Sequence, residues 1–104
     1  MTSHYKADFS GLGWEHPIVG VKHKYFDRDN LRLRLVEYSK NMTPHWCEKG
    51  HYGYVVEGRM EIEYENDRVT YNPGDGIFIP DGPERKHRGR VLSDKAVIFF
   101  VEKV

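Results

Sequence analysis

One stretch of the sequence, from His45 to Gly89, carries most of the structural signal: HWCEKGHYGYVVEGRMEIEYENDRVTYNPGDGIFIPDGPERKHRG. Within it, apolar and polar side chains alternate with a period of two, which is typical of half-buried strands. Gly58, Asn66-Asp67 and Asn72-Pro73-Gly74 supply turns between the alternating segments. The stretch therefore predicts four short strands, at His51–Glu57, Arg59–Tyr64, Arg68–Tyr71 and Gly76–Ile79.

The sequence on either side continues this pattern. Leu31–Tyr38 alternates leucine with arginine, and Ala96–Val104 begins as a continuous apolar run, which suits a strand covered on both faces. Further strands are predicted at Ile18–Phe26 and His87–Leu92. No segment shows a helical period of useful length. We therefore expect an all-β protein, with an irregular N-terminal arm at residues 1–17, anchored by Trp14, and a single barrel domain at residues 18–104.

Charge and cysteine content exclude several classes of function. The 104 residues contain 16 basic and 16 acidic side chains, so no net field attracts a polyanion or an anionic bilayer, and we expect neither nucleic acid nor membrane as a partner. The single cysteine cannot form an intramolecular disulfide, and no run approaches the roughly 18 apolar residues of a membrane span. These features predict a soluble protein of the cytoplasm.

The start of the stretch also contains side chains that bind metals. His45 and Cys47 lie two residues apart, so on an extended strand they share a face, and His51 has the same parity if the intervening turn adds no bulge. Imidazole and thiolate groups suit transition metals and do not suit Mg²⁺ or Ca²⁺. These three residues are therefore candidate ligands.

The spacing of these residues resembles the two motifs of the cupins, G-x5-H-x-H-x3,4-E-x6-G and G-x5-P-x-G-x2-H-x3-N. The first motif here reads Ser39, then His45-x-Cys47-x3-His51-x6-Gly58, and the second reads Gly74-x5-Pro80-x-Gly82. The resemblance covers residues 31–104. It implies a single cupin-type jelly-roll β-barrel, also called a double-stranded β-helix.

The chain departs from the cupin motifs where the family holds its metal. Only His45 is kept, while Cys47 and His51 replace the second histidine and the glutamate, and Arg85 replaces the last histidine. A guanidinium group has no free lone pair for a metal, so His87 is the candidate substitute. The resulting set, His45, Cys47, His51 and His87, would hold a divalent Fe, Zn, Ni, Cu or Mn ion. Cys47 as a core residue and His87 as a solvated one are the alternatives.

The remaining polar residues receive simpler interpretations. Arg85 is a candidate contact for an anionic substrate at the barrel mouth. His4, His16 and His23 lie outside the motifs and are interpreted as surface or packing residues.

Resemblance to cupins leaves the reaction open, because the superfamily includes dioxygenases, isomerases, epimerases, lyases, decarboxylases, sugar-binding sensors and storage proteins. The leading hypothesis is a small metal-binding cupin that binds or transforms a small polar organic molecule, with catalytic residues unassigned. The alternative, a metal-free ligand-binding or sensing module, follows from the three replaced ligand positions. The resemblance also implies a homodimer formed through sheet edges and exchanged N-terminal arms.

Overall fold

A computed structural model describes residues 5–104, which contain nine antiparallel strands and no α-helix. The strands are β1 (Glu15–Ile18), β2 (Val21–Arg28), β3 (Leu31–Ser39), β4 (His51–Glu57), β5 (Met60–Tyr64), β6 (Arg68–Tyr71), β7 (Gly76–Ile79), β8 (His87–Val91) and β9 (Lys95–Lys103). Short 3-10 turns at Phe9–Gly11 and Pro83–Arg85 precede β1 and β8. None of the helical segments in residues 5–104 has the length and apolar character needed to cross a membrane. The all-β prediction is confirmed.

The predicted first strand, Ile18–Phe26, is two strands in the structure. Gly20 turns the chain with φ +81°, and a side chain there would approach the main chain of Met42 at 2.7 Å. The turn folds β1 back onto β2, so the end of the predicted N-terminal arm joins the sheet. Trp14, just before β1, packs against its own chain, with the ammonium groups of Lys22 and Lys24 each 4.7 Å from the ring.

The strands form two sheets that pack face to face, as in a jelly roll. The larger has the order β1-β2-β3-β9-β4-β7 and the smaller the order β6-β5-β8. Over residues 5–104 no continuous ladder joins the two sheets, so the barrel is not closed. The core between them consists of Val21, Val36, Val55, Met60, Ile62, Ile77, Ile79, Val91, Ala96, Ile98 and Phe100.

β9 lies in the interior of the larger sheet, where it pairs with both β3 and β4. Its inward side chains are Ala96, Ile98, Phe100 and Glu102, all buried, in the strict alternation of a pleated strand. Glu102 is therefore a carboxylate on an otherwise apolar inner face. On β3 the arginine side of the predicted alternation, including Arg34, faces the space between the sheets.

The outer face of the larger sheet is also rich in apolar side chains. Cross-strand pairing places two rows side by side on this face, running from β7 towards β2: Phe78, Tyr52, Val101, Leu33 and Phe26 in one, and Tyr54, Phe99 and Leu35 in the other. Phe78 is 78% exposed and Tyr54 53% exposed, so part of this face is open to solvent. Tyr54 and Phe78 therefore pack only along the outside of the sheet.

The turn between β4 and β5 depends on Gly58, as the sequence predicted. Gly58 has φ +77°, and a Cβ there would overlap the carbonyl oxygen of Lys95 at the start of β9. Gly74 has φ +97°, but the nearest atom to a Cβ there is Tyr54 Oη at 3.9 Å. Both glycines thus adopt a positive φ, and of the two only Gly58 also lies too close to a neighbouring strand for a Cβ.

We expect Gly58→Ala to lower the free energy of unfolding by about 2–5 kcal/mol, since backbone strain and the clash with Lys95 combine. Gly74→Ala is the matched control, with an expected loss of about 1–2 kcal/mol from strain alone. Urea denaturation followed by tryptophan fluorescence measures both. Equal losses in the two variants would show that the close approach to β9 adds nothing to the role of Gly58.

Candidate metal centre

Three of the predicted ligand residues lie together between the two sheets. The sulfur of Cys47 and one ring nitrogen each from His51 and His87 are all within 4.8 Å of one another. His51 begins β4 of the larger sheet and His87 begins β8 of the smaller one. The cluster therefore lies where the two sheets approach each other.

Main-chain hydrogen bonds fix the relative positions of Cys47 and His87. The Cys47 N–H donates to the His87 carbonyl at 2.8 Å, and the His87 N–H donates to the Cys47 carbonyl at 2.9 Å. This isolated antiparallel bridge joins the segment between β3 and β4 to the beginning of β8. It brings a thiol and an imidazole together through peptide groups alone. The thiol itself makes a long hydrogen bond, of 3.9 Å, to the Lys49 carbonyl.

The His87 ring has one nitrogen that is bonded and one that is not. Its Nδ1 lies 3.0 Å from the Arg85 carbonyl, an acceptor, so Nδ1 carries the proton and donates it. Burial lowers the pKa of His87 below the usual imidazole value, and His51 lowers it further, although the bond to Arg85 opposes this shift. The ring is thus neutral, with a lone pair on Nε2. Within residues 5–104, this Nε2 is the only buried side-chain nitrogen or oxygen without a hydrogen-bond partner.

The His51 ring is held mainly by side chains of β9, its neighbour in the larger sheet. Its Nδ1 lies 3.2 Å from Glu102 Oε2, and its ring centroid lies 5.3 Å from that of His87 and 5.1 Å from that of Phe100. The packing of the three rings leaves His51 little freedom to rotate. These contacts therefore keep one edge of the His51 ring turned towards Cys47 and His87.

Glu102 is 5% exposed and forms hydrogen bonds on both of its oxygens. Arg34 donates from Nε to Oε1 and from Nη2 to Oε2, each at 2.9 Å, and Oε2 also meets His51. Burial by itself would raise the pKa of Glu102, but the bonds from His51 and Arg34 outweigh it and lower the pKa to about 2. Glu102 is accordingly an ionised carboxylate inside the domain.

The other predicted residues lie further from the cluster. His45 lines the same cavity but is exposed and outside the group of three. The Arg85 side chain is exposed and lines a separate depression beside Tyr64 and Phe78, so its carbonyl and not its guanidinium meets the cluster. Contact of Arg85 with a substrate stays a prediction.

The histidines outside the motifs differ in their surroundings. His16 is exposed and His23 is partly buried, with its Nδ1 at 3.2 Å from Arg34 Nη1. His4 lies outside the described residues.

A cavity of about 250 Å³ opens beside the cluster. Apart from the candidate ligands its walls are mainly apolar, with contributions from Ile62, Ile77, Ile98 and Phe100 among others. Two arginines also reach it, and each is paired with a carboxylate: Arg34 with Glu102, and Arg88 with Glu63 at 2.9 Å. The cavity is thus a mainly apolar space that the cluster helps to line.

The donor set fits a transition metal. One thiol sulfur and two imidazole nitrogens are ligands that Zn, Fe, Cu and Ni accept readily. The bare, buried Nε2 of His87 is the atom that a metal ion would satisfy. The residues that are present therefore fit a metal centre better than they fit a plain apolar core.

Sequence reasoning did not identify Arg34 and Glu102 as part of this site. A signal for Glu102 exists, because it has the same strand parity as Ala96, Ile98 and Phe100 and must share their inner face. Arg34 gives no comparable signal. In β3, leucines alternate with arginines, and the pairing with neighbouring strands determines which of the two faces lies inside.

Comparison with known proteins agrees with the fold and the motifs. The family model described as the cupin domain matches residues 32–101. Among solved structures, KdgF from a Halomonas species has a TM-score of 0.70 at 24% identity, with 93% of each chain covered. An RmlC-like cupin from Shewanella frigidimarina has a TM-score of 0.75 at 17% identity, with 97% of this chain and 91% of that chain covered.

A third solved structure is described as a sugar phosphate isomerase of the cupin superfamily from Silicibacter pomeroyi. It has a TM-score of 0.75 at 16% identity, covering 95% of this chain and 75% of that one. At these identities the likenesses show the fold alone, and among curated proteins none matches the chain in sequence. The family match extends from β3 to β9 and includes the whole cluster, so the chain belongs to the cupin domain family.

Proposed function

We propose that this cupin binds a divalent transition metal at Cys47, His51 and His87, with His45 as a further candidate ligand, and that it binds or transforms a small organic molecule in the adjoining cavity. The observation that carries the proposal is His87 Nε2, a buried lone pair with no partner, beside a thiol and a second imidazole. Such an atom costs stability unless something binds it. A metal ion is the ligand that this donor set suits.

The cavity supports a compact ligand with one polar end. A bound ion would supply a Lewis acid or an oxygen-activating centre at that end. The apolar walls would pack against the body of the molecule and keep water away from it. Because Arg34 and Arg88 are already paired with carboxylates, polar recognition falls mainly to the cluster itself.

Metal content tests this proposal directly. We expect untagged wild-type protein to contain close to one transition-metal ion per chain by inductively coupled plasma mass spectrometry. His51→Ala and His87→Ala should lose it, because each removes one of three donors. His16→Ala, which removes an exposed histidine outside the cavity, is the matched control and should keep it. Full occupancy in His51→Ala would contradict the ligand assignment.

A metal-free ligand-binding module is the second candidate function, and the mainly apolar cavity is the observation that favours it. Absence of metal after reconstitution with Fe, Zn, Ni, Cu and Mn would favour this candidate. Small molecules that raise the melting temperature of wild-type protein, and that do so less when the cavity is filled by Ile98→Phe, would then identify its ligand class.

We also propose that two copies of the chain associate through the outer face of the larger sheet, in the cytoplasm. Four residues contribute exposed apolar side chains there: Tyr54, Val56, Phe78 and Val101. At about 200 Å² for a fully exposed aromatic side chain, Phe78 and Tyr54 together leave about 250 Å² open to solvent. A zero net charge creates no long-range repulsion between copies, and paired identical patches are the commonest form of association.

Light scattering on protein at micromolar concentration should give the mass of two chains. Phe78→Glu should give one chain, because it places a charge at the most exposed of these four apolar side chains. Val19→Glu is the matched control, since Val19 is also 78% exposed but lies in the turn between β1 and β2. A monomeric wild type, or a dimer unaffected by Phe78→Glu, would contradict the assignment of this face.

A further inference from the structure

Glu102 contacts His51 as well as Arg34. It lies near the end of β9, an interior strand of the larger sheet, and its Oε2 accepts from Arg34 Nη2 at 2.9 Å and lies 3.2 Å from His51 Nδ1. An ion pair with Arg34 alone would be complete through the two guanidinium contacts. The contact with His51 is additional, and it joins the cluster to a buried charge.

We propose that Glu102 is a positioning residue of the metal centre, which holds His51 in the Nδ1–H tautomer so that its Nε2 lone pair is presented beside Cys47 and His87. This inference rests on the proposed function for the identity of the ligand, since the ion is what the lone pair would bind. The tautomer itself is a property of the metal-free protein.

The chemistry of the contact determines which atom holds the proton. Both oxygens of Glu102 accept from the Arg34 guanidinium, which is the geometry of an ionised carboxylate. Such a group only accepts hydrogen bonds, so the proton shared between Glu102 Oε2 and His51 Nδ1 belongs to the imidazole. Neutral imidazole carries one N–H, and with that proton on Nδ1 the other nitrogen is bare. Arg34 has donors only and cannot take over the role of acceptor, but its two bonds fix the carboxylate plane.

The His87 ring has the same Nδ1–H tautomer, but its acceptor is a backbone carbonyl. Its Nδ1 donates to the Arg85 carbonyl, which leaves its Nε2 bare. Both histidines of the cluster are therefore held at Nδ1 by an acceptor, one a backbone carbonyl and one a buried carboxylate. An outer acceptor of this kind fixes ring orientation and raises the basicity of the metal-binding nitrogen.

The first test is the tautomer in wild-type protein without metal. Long-range ¹H–¹⁵N correlation spectra at about pH 9, above the usual imidazole pKa of about 6.5, distinguish a protonated from a bare ring nitrogen. We expect His51 to show a protonated Nδ1 and a bare Nε2. An Nε2–H tautomer of His51 would overturn the inference without recourse to any variant.

The second test removes the acceptor. The double variant Arg34→Met with Glu102→Leu replaces the buried pair by apolar side chains, a change that often leaves stability nearly unaltered. The matched control, Lys22→Met with Glu37→Leu, removes another ion pair of the same sheet, of 3.4 Å, outside the cavity. We expect the first double variant to lose the Nδ1–H preference at His51 and the control to retain it. Retention in both would overturn the inference.

Zinc affinity separates this inference from the proposed function. Competition with a chromophoric chelator should show zinc binding about 10- to 100-fold weaker in the Arg34/Glu102 variant than in the control. Unchanged affinity would overturn the positioning role. If wild-type protein binds no metal while His51 still depends on Glu102 for its tautomer, the proposed metal is wrong and the placement of the His51 proton by Glu102 stands.

Discussion

The site depends on two main-chain hydrogen bonds between Cys47 and His87. They join a segment that follows Pro44 to the first residue of β8, forty positions further along the chain. Since peptide groups make this bridge, the side chains that they carry can differ in chemistry while their positions stay fixed. A cysteine can thus occupy a position where the cupin motif has histidine, and the cluster still forms. The bridge fixes the main-chain positions of residues 47 and 87, and the side chains at those positions determine which donor atoms are present.

A cluster of polar side chains inside an apolar space has an energetic cost. A buried nitrogen without a partner destabilises a fold by about 1–3 kcal/mol, and His87 Nε2 is in that position. The ionised Glu102 avoids a similar cost because Arg34 and His51 complete its hydrogen bonds. The interior therefore contains one charge that is fully compensated and one lone pair that is not.

The strands could be predicted from the sequence because each has a local signature. Alternation identified β3 and β5, and Gly58 and Gly74 marked turns, at which both glycines have positive φ. The grouping of Cys47 with His51 followed from motif spacing, which encodes a known arrangement in space. His87 lies two residues beyond the motif position and was predicted as the substitute for Arg85, whose guanidinium cannot bind a metal. Motif spacing alone could not separate exposed His45 from these three.

The roles of Arg34 and Glu102 could not be predicted in this way, because they arise from strand pairing. Residues 68 positions apart meet only once β9 lies beside β3, and no local pattern reports that pairing. For the same reason Phe78, which looks like a core residue in the sequence, faces outward: its parity in β7 puts Ile77 and Ile79 inside.

The position of β9 has a consequence for how the chain folds. The last of the nine strands lies between β3 and β4, so the larger sheet cannot be completed until residues 95–103 have emerged from the ribosome. Contacts between elements so distant in sequence give a high contact order, which slows folding. Until then β3 and β4 each have an unpaired edge, the kind of surface on which other chains aggregate. During synthesis these edges are therefore most vulnerable just before β9 is added.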